Sequence, residues 1–472
     1  MSSESCRSNP PLQTALPINF IIIGGGIAGL ACAIALRRVG HHAIVLERKE
    51  RANVSSHSGI RLPPNCTKIL YHWGLRGILM QRAMITHTLL FSRYESGEFL
   101  GTHIWDEGML KETRGQFMLT THAELHEVLY DAAVALGADI RYGAEVQEID
   151  PGSPTVKLAS GEVLSADVLV GADGEFGVSR ALVLEGRDDG NPTGLALYDT
   201  TISQDELLER ANFLYEDNGI IVAFGLGRAI VVYPIQDKKE LAFQWYGPDE
   251  ESVGRYGDIA SADIHSVANA VHKDLRAVMS RVRKAVRVSI RDHEDLEDWV
   301  ADDSRLVLIG EAAHPFPPGT IQASAMAIED GAVLAKLFSH LSEERQIESF
   351  LYAFQELRQS RVRQVREQEF GGVFYMTLPD ADAAAQRDNG LREKAAAGLN
   401  ALDGSEEASK AWEEMEVIFG YDCEDQADDW WLKWGMLRER ALSVDQGAAP
   451  SLLDFSKMIT QVSSTIIDEE SH

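Results

Sequence analysis

A glycine-rich segment near the start of the chain has the residue types and spacing of a phosphate-binding turn. Gly24-Gly25-Gly26-Ile27-Ala28-Gly29 follows an apolar run over residues 20–23 and opens a helix that the pattern predicts over residues 27–39. The first glycine permits a tight turn, the second lets the backbone approach a pyrophosphate, and the third allows close packing of helix on strand. The helix N-terminus then faces the phosphates. The sequence therefore predicts a dinucleotide site on a parallel sheet.

Glu47 ends the next predicted strand, residues 43–46. A carboxylate at this place can accept hydrogen bonds from ribose hydroxyls, and it repels a ribose 2′-phosphate. NADP is therefore disfavoured at this site. The segment does not separate FAD from NAD, which both carry a free ribose 2′-hydroxyl.

Two further segments place a carboxylate and glycines directly after an apolar run. Gly171-Ala172-Asp173-Gly174 follows residues 167–170, and Gly310-Glu311-Ala312-Ala313-His314-Pro315 follows residues 306–309. A Pro317-Pro318-Gly319 loop leads from the latter into a helix predicted over residues 322–338. Its N-terminus is suited to negative charge.

In this order the three segments resemble those of the flavin-dependent aromatic hydroxylases, or class A flavin monooxygenases, which include the p-hydroxybenzoate and salicylate hydroxylases. The resemblance covers about residues 18–435, including the fungal-type closing segment with Trp412, Trp430, Trp431 and Trp434. It implies non-covalent FAD, NADH or NADPH as reductant, and O₂ as co-substrate. The implied activity is hydroxylation of a small aromatic substrate through a flavin C4a-hydroperoxide.

The resemblance also assigns residues to the cofactor. They are Gly24, Gly26, Ala28, Gly29, Glu47, Arg48, Gly59, Arg61, His122, Asp173, Gly174, Glu311, Pro318, Gly319 and Ser324. Glu311 stands where the family usually has aspartate and keeps the carboxylate. His122 stands where an arginine commonly contacts the cofactor, so it is either a flavin contact or a surface residue.

The segment between the second and third motifs has short β-rich runs at residues 220–224, 229–232 and 240–245. The resemblance implies a sheet that covers the substrate, with Tyr233 as the catalytic-site tyrosine that engages it. Asp199 takes the place of the family's substrate-binding arginine. A carboxylate there favours a neutral or basic-nitrogen substrate over an anion. The alternatives are that the alignment with the family is shifted by one residue or that Asp199 is a solvated turn residue.

The predicted fold class is α/β. A Rossmann-type FAD-binding domain resembling that of glutathione reductase comprises residues 18–181 and 301–340. A β-rich substrate domain, residues 182–300, is inserted into it, and residues 341–472 form a C-terminal helical segment and tail. There a helix is predicted over residues 344–370, with the arginines at 358, 361, 363 and 366 on a solvated face, and residues 380–409 are predicted to be flexible or marginally helical.

The amino-acid composition limits the classes of partner that this protein can bind. A formal net charge of −29 argues against nucleic acid or an anionic membrane. The cysteines at 6, 32, 66 and 423 show no metal-ligand spacing, and no run is long and apolar enough for a membrane span. The sequence therefore predicts a cytoplasmic, metal-free enzyme, a monomer or homodimer, with a small-molecule partner.

Two alternatives remain open. One is epoxidation or oxidative rearrangement of an indole or other alkaloid-type natural product on the same scaffold, which Asp199 favours. The other is a non-catalytic FAD-fold carrier resembling the prenyl-protein escort proteins, which share the first glycine motif.

Overall fold

The computed structural model describes residues 12–51, 58–203, 219–236, 239–250, 254, 262, 264, 271–282, 285–301, 305–401 and 417–437. Cys6 and Trp412 lie outside these residues. The chain divides into a large compact unit, Met1–Cys423, and a small one, Glu424–His472. No helix within the described ranges has the length and apolar character to cross a lipid bilayer.

The strands are β1 Asn19–Ile23, β2 His42–Glu47, β3 Gly59–Leu62, β4 Met84–Ile85, β5 Thr88–Arg93, β6 Phe99–Ile104, β7 Met118–Thr121, β8 Asp139–Tyr142, β9 Val146–Asp150, β10 Thr155–Leu158, β11 Val163–Ser165, β12 Val168–Gly171, β13 Asn191–Ser203, β14 Ile220–Gly225, β15 Arg228–Ile235, β16 Glu240–Pro248, β17 Val286–Asp292 and β18 Leu306–Leu308. The helices are α1 Ile27–Arg38, α2 Pro64–His72, α3 Arg76–Arg82, α4 Glu107–Glu112, α5 His122–Ala135, α6 Val178–Val183, α7 Lys273–Met279, α8 Ala323–Phe338, α9 Gln346–Met376, α10 Ala381–Ala396 and α11 Cys423–Trp430.

A five-stranded parallel sheet in the order β18-β12-β1-β2-β8 forms the centre of the nucleotide-binding part. The edge strand β18 and the inner strands β12 and β1 are mostly buried and apolar, as expected for a parallel sheet covered on both faces. Their carboxyl ends lie side by side, so the three glycine-containing segments meet at one edge of the sheet. The predicted α/β fold with a Rossmann-type domain is confirmed.

A seven-stranded sheet in the order β17-β13-β16-β15-β14-β5-β6 lies alongside. The three β-rich runs predicted from the sequence form β14, β15 and β16, which pair antiparallel. Strands β5 and β6 come from residues 88–104, before the range predicted for the substrate domain, so the sheet draws on both sides of that boundary. Both faces are buried: one carries Tyr233 and Tyr246, and the other carries Trp245.

The small antiparallel sheet β3-β7-β4 connects these parts. Strand β3 pairs with β7 in a register that sets Gly59 opposite Thr121, directly before helix α5. Thr121 caps the N-terminus of α5, because its hydroxyl accepts from the Glu124 N–H at 3.0 Å. Gly59 is thereby placed at the start of α5, and Arg61 lies opposite Leu119.

Helix α10 corrects one prediction for the C-terminal part. Residues 381–396 are helical, where the sequence predicted a flexible or marginally helical connection. The Asp380 side chain caps the helix by accepting from the Ala383 N–H at 2.8 Å, and Leu391 is buried in the core of the seven-stranded sheet. Capping and tertiary packing stabilise a segment with weak apolar periodicity.

Candidate cofactor and substrate site

A cavity of about 400 Å³ opens at the carboxyl edge of the parallel sheet. Most residues that the sequence assigned to the cofactor line it. They are Gly24, Gly26, Ala28, Glu47, Arg48, Gly59, Arg61, His122, Asp173, Gly174, Glu311, Pro318, Gly319 and Ser324. Gly29, Asp199 and Tyr233 are not on its wall.

The glycine turn has the geometry that its spacing predicts. Gly24 has φ +111°, and a Cβ there would lie 2.3 Å from the Ala172 carbonyl oxygen. A Cβ on Gly29 would lie 2.0 Å from the Gly24 carbonyl oxygen, so Gly29 serves the packing of α1 on the turn. Gly26 faces open space, and no side chain caps α1 after it. The first turn of α1 can therefore meet an anion.

Glu47 is buried and holds the turn through both carboxylate oxygens. Oε2 accepts from the Gly25 N–H at 2.8 Å, and Oε1 accepts from the Lys49 N–H at 2.8 Å. Each carboxylate oxygen has a second lone pair. The side chain can thus anchor the turn and still accept a hydroxyl from the cavity.

Asp173 has one engaged and one unengaged oxygen. Oδ2 accepts from the Ser179 N–H at 3.0 Å at the start of α6, whereas Oδ1 is buried without a hydrogen-bond partner among the described residues. Burial raises the pKa of Asp173, and the hydrogen bonds at Ser179 act against this shift. Because buried polar atoms are normally hydrogen-bonded, Oδ1 is available to accept from a donor in the cavity.

His122 lies on the cavity wall, so the surface alternative is wrong. Its Nδ1 is buried and has no partner in the described part of the chain. Burial, followed by His126 and Lys49, lowers the pKa of His122 to about 4. The imidazole is neutral at pH 7 and does not supply the charge of the arginine common in the family.

The third segment brings a carboxyl group and a tightly held loop to the cavity. Withdrawal from bulk water inside the cavity, together with Glu175, raises the pKa of Glu311 to about 7. The Gly319 carbonyl accepts from the Arg61 guanidinium and from the Tyr246 hydroxyl, the latter at 2.9 Å. The Glu369 carboxylate accepts from the Ile321 and Gln322 N–H groups at 3.2 and 3.1 Å. The loop is fixed through both its carbonyl and its amide groups.

A buried ionic network behind this loop was not expected from the sequence. Arg358 donates to Glu329 at 2.8 Å and to Asp330 at 2.7 Å, and Asp330 accepts from the Gly310 N–H at 2.8 Å and contacts His314 Nε2 at 2.6 Å. Burial acts to raise the pKa of Asp330, but His314 and Arg358 hold it at about 2. The network fastens the third segment to helices α8 and α9.

The prediction of a solvated arginine face on α9 holds for Arg363 but is wrong for the buried Arg358 and Arg361, and Arg366 is only 12% exposed. Arg358 and Arg361 are buried, and Arg361 donates to Glu329 and to the Ile418 carbonyl at 2.8 Å. The spacing of these two arginines in the sequence indicates their burial. They continue the apolar stripe of Ile347, Leu351 and Phe354 at intervals of one helical turn. Arg363 lies off the stripe and is 58% exposed.

Asp199 lies in strand β13 opposite Gln244, so the solvated-turn alternative is wrong. Asp199 is 2% exposed and Tyr233 is fully buried. Among the described residues, the two Asp199 carboxylate oxygens have no hydrogen-bond partner of normal geometry. The same is true of the Tyr233 hydroxyl. Burial raises the pKa of Asp199 to about 7 against the effects of Gln244, Ser58 and Arg61.

Tyr233 and Asp199 lie directly behind one wall of the cavity. A Cβ on Gly59 would lie 2.7 Å from the Tyr233 hydroxyl oxygen, and Gln244, which pairs with Asp199 across β13 and β16, lines the cavity. Gly59, Arg61 and Gln244 form this part of the wall. Tyr233 and Asp199 therefore each adjoin a residue of the cavity wall.

Comparison with known proteins identifies the family. Residues 18–369 match the FAD binding domain family. The chain is 29% identical to the FAD-dependent monooxygenase OpS4 of Beauveria bassiana over 79% of its length and 89% of the relative. It is 27% identical to asperlicin C monooxygenase of Petromyces alliaceus over 74% of its length and 79% of the relative.

Solved structures share the fold. CtdE in complex with FAD and a substrate superposes with a TM-score of 0.74 at 21% identity, over 89% of this chain and all of that one. HpxO of Klebsiella pneumoniae in complex with FAD and uric acid superposes with a TM-score of 0.70 at 20% identity, over 85% of this chain and 96% of that one.

Proposed function

Because the chain belongs to the FAD binding domain family, we propose that this FAD-dependent monooxygenase uses NADH or NADPH and O₂ to hydroxylate a small aromatic substrate. Its relatives are named monooxygenases and hydroxylases, so it is an enzyme and not a non-catalytic carrier. The net charge of −29 supports a small-molecule substrate rather than nucleic acid.

The cavity suits FAD because the carboxyl groups of Glu47, Asp173 and Glu311 and the uncapped N-terminus of α1 line it together. Glu47 accepts from the adenosine ribose, and Asp173 and Glu311 accept from hydroxyls further along the cofactor. The first turn of α1 at Gly26 receives the pyrophosphate. The loop at Pro318 and Gly319 holds the flavin ring. The convergence of these groups on one cavity is the observation that carries the proposal.

FAD supplies the redox chemistry and the activation of O₂, and the protein supplies position and a dry environment. Tyr233 is our proposed hydrogen-bond donor to a substrate oxygen, because its buried hydroxyl lacks a normal partner among the described residues. Asp199 is proposed to accept from a substrate donor. Tyr233 adjoins Gly59 and Asp199 adjoins Gln244, so the substrate is proposed to bind at this side of the cavity.

A second candidate is oxidation of an indole or other alkaloid-type compound, by epoxidation or rearrangement. The buried acid at Asp199 favours it, since a carboxyl group can accept from an indole or lactam N–H. Asperlicin C monooxygenase among the relatives is consistent with this candidate.

The function is tested by supplying ¹⁸O₂ to the purified enzyme with NADH or NADPH and a panel of phenols, benzoates and indoles. We expect a product that gains one ¹⁸O atom, measured by mass spectrometry, and slower formation by Tyr233→Phe at unchanged FAD content. If the product has lost carbon dioxide and gained one oxygen atom relative to the substrate, the reaction is a decarboxylative hydroxylation. Product oxygen that comes from water, or oxidation without oxygen insertion, would refute the proposal.

A further inference from the structure

A carboxyl group from helix α9 binds the amide groups at the entrance to helix α8. Glu369 Oε2 accepts from the Ile321 N–H at 3.2 Å, and Oε1 accepts from the Gln322 N–H at 3.1 Å. Gln322 is the residue directly before the first turn of α8. Because both oxygens accept from amides, the two contacts suit an ionised carboxylate. The chain thus places its own anion at this helix N-terminus, where negative charge is favourable.

The amides that Glu369 binds belong to the loop that borders the cofactor cavity. Gly319 and Thr320 line the cavity just before these amides, and Ala323 and Ser324 line it just after them. Glu369 itself is not on the cavity wall. In the proposed function this loop holds the flavin ring. The charge of Glu369 therefore acts on the ring from behind the loop, without touching it.

Arg61 acts on the same loop with the opposite charge. Its guanidinium lines the cavity and donates to the Gly319 carbonyl. Burial raises the pKa of Glu369, whereas the two amides and Arg61 act against this shift. Tyr246 also acts on Glu369, but its hydroxyl donates to the Gly319 carbonyl at 2.9 Å, and burial raises its pKa, so it stays protonated. The loop thus lies between a cation at its carbonyl and an anion at its amides.

The charge of a bound flavin changes on reduction, so charges near the ring affect the reduction equilibrium. Two electrons and one proton convert the neutral oxidised ring into an anion, and a second proton neutralises it. A fixed negative charge nearby raises the free energy of the anion, and a fixed positive charge lowers it. Glu369 therefore opposes reduction of the flavin, and Arg61 favours it.

Resting on the proposed function, we propose that Glu369 is a positioning residue that holds the entrance to α8 and makes the reduction potential of the bound flavin more negative. It acts through the loop and through its charge, and it contacts neither the ring nor the substrate. A more negative potential makes the reduced cofactor a stronger reductant toward O₂. Arg61 counteracts this effect from the cavity side of the loop.

The test is the reduction potential of the flavin in the holoenzyme, measured without oxygen by spectroscopic titration against a reference dye. Glu369→Gln should raise the equilibrium constant for two-electron reduction roughly ten- to a hundredfold, which corresponds to about 30–60 mV. Glu369→Asp keeps the charge and should remain closer to the wild type. Glu367→Gln is the matched control, since it removes an exposed carboxylate from the same helix, and it should leave the potential unchanged.

The sign of the shift separates an effect of charge from a loosened loop. Arg61→Gln should lower the same equilibrium constant, because it removes a positive charge, whereas a loosened loop would shift both variants in one direction. The difference between Glu369→Gln and the wild type should also grow as the pH rises. The reason is that the Glu369 side chain is neutral below its pKa and negative above it.

Three results would overturn the inference. One is an equal potential for the wild type and Glu369→Gln over roughly pH 6 to 9, a range that includes raised carboxyl pKa values. The others are an equal shift in Glu367→Gln and shifts of the same sign in Glu369→Gln and Arg61→Gln. A wild-type protein that cannot hold FAD would instead refute the proposed function, so the two failures are distinguishable.

Discussion

Replacing Arg358 by glutamine should lower the free energy of unfolding by about 3–5 kcal/mol, because it removes the buried cation that two buried carboxylates share. Arg358 is fully buried and pairs with Glu329 at 2.8 Å and Asp330 at 2.7 Å. Glutamine keeps a donor but not the charge. Chemical denaturation followed by tryptophan fluorescence measures the loss.

Arg363→Gln is the control, since it changes the same residue type on the same helix. Arg363 pairs with Asp295 at 2.9 Å, but both side chains are exposed, and such pairs contribute roughly 0–1 kcal/mol. The Arg358 variant should also lose flavin, because Asp330 holds the Gly310 N–H of the third segment. Equal stability of the two variants would show that the network has no structural role.

Glu47→Ala should weaken FAD binding at least roughly ten- to a hundredfold, since one charge-assisted hydrogen bond is worth about 1.5–3 kcal/mol. The variant loses the proposed ribose acceptor and also the carboxylate that holds the Gly25 and Lys49 N–H groups. Titration of the apoprotein with FAD, followed by flavin fluorescence, measures the dissociation constant.

Glu47→Gln should give an intermediate affinity because one acceptor oxygen remains. Glu50→Ala removes an exposed acid three residues away that is not on the cavity wall, and it should bind FAD as the wild type does. If Glu47→Ala and Glu50→Ala bound FAD equally, the ribose position assigned to Glu47 would be wrong.

The cofactor cavity could be anticipated because its parts are encoded locally. Each segment shows an apolar strand, a glycine or an acid at the strand end, and a helix signal within some twenty residues. Parallel strands then bring these ends to one edge of the sheet, as Gly24, Asp173 and Glu311 demonstrate. Local pattern and sheet geometry placed the strand ends, and the resemblance to the flavin-dependent hydroxylases assigned Asp173 and Glu311 to the cofactor.

The features that could not be predicted from the sequence depend on contacts between residues far apart in the chain. Arg358 meets Asp330 across 28 positions and Arg61 meets Gln244 across 183, and no local pattern specifies such pairs. The burial of Asp199 follows from the packing of β13 between β16 and β17. A charged residue on an apolar helical stripe, as at Arg358, is the one signal in the sequence that pointed to a buried ion pair.

The central claim is that the cavity at the carboxyl edge of the parallel sheet holds FAD. It is tested most directly by denaturing the purified protein and identifying and counting the released flavin by chromatography and absorbance. We predict a yellow protein that releases one flavin per chain, with FAD as the released species, since the cavity is lined by the proposed ribose acceptor Glu47 as well as by the loop at Pro318 and Gly319. A protein that is colourless and cannot be reconstituted with FAD, or one that retains covalently bound flavin or releases FMN, would contradict it.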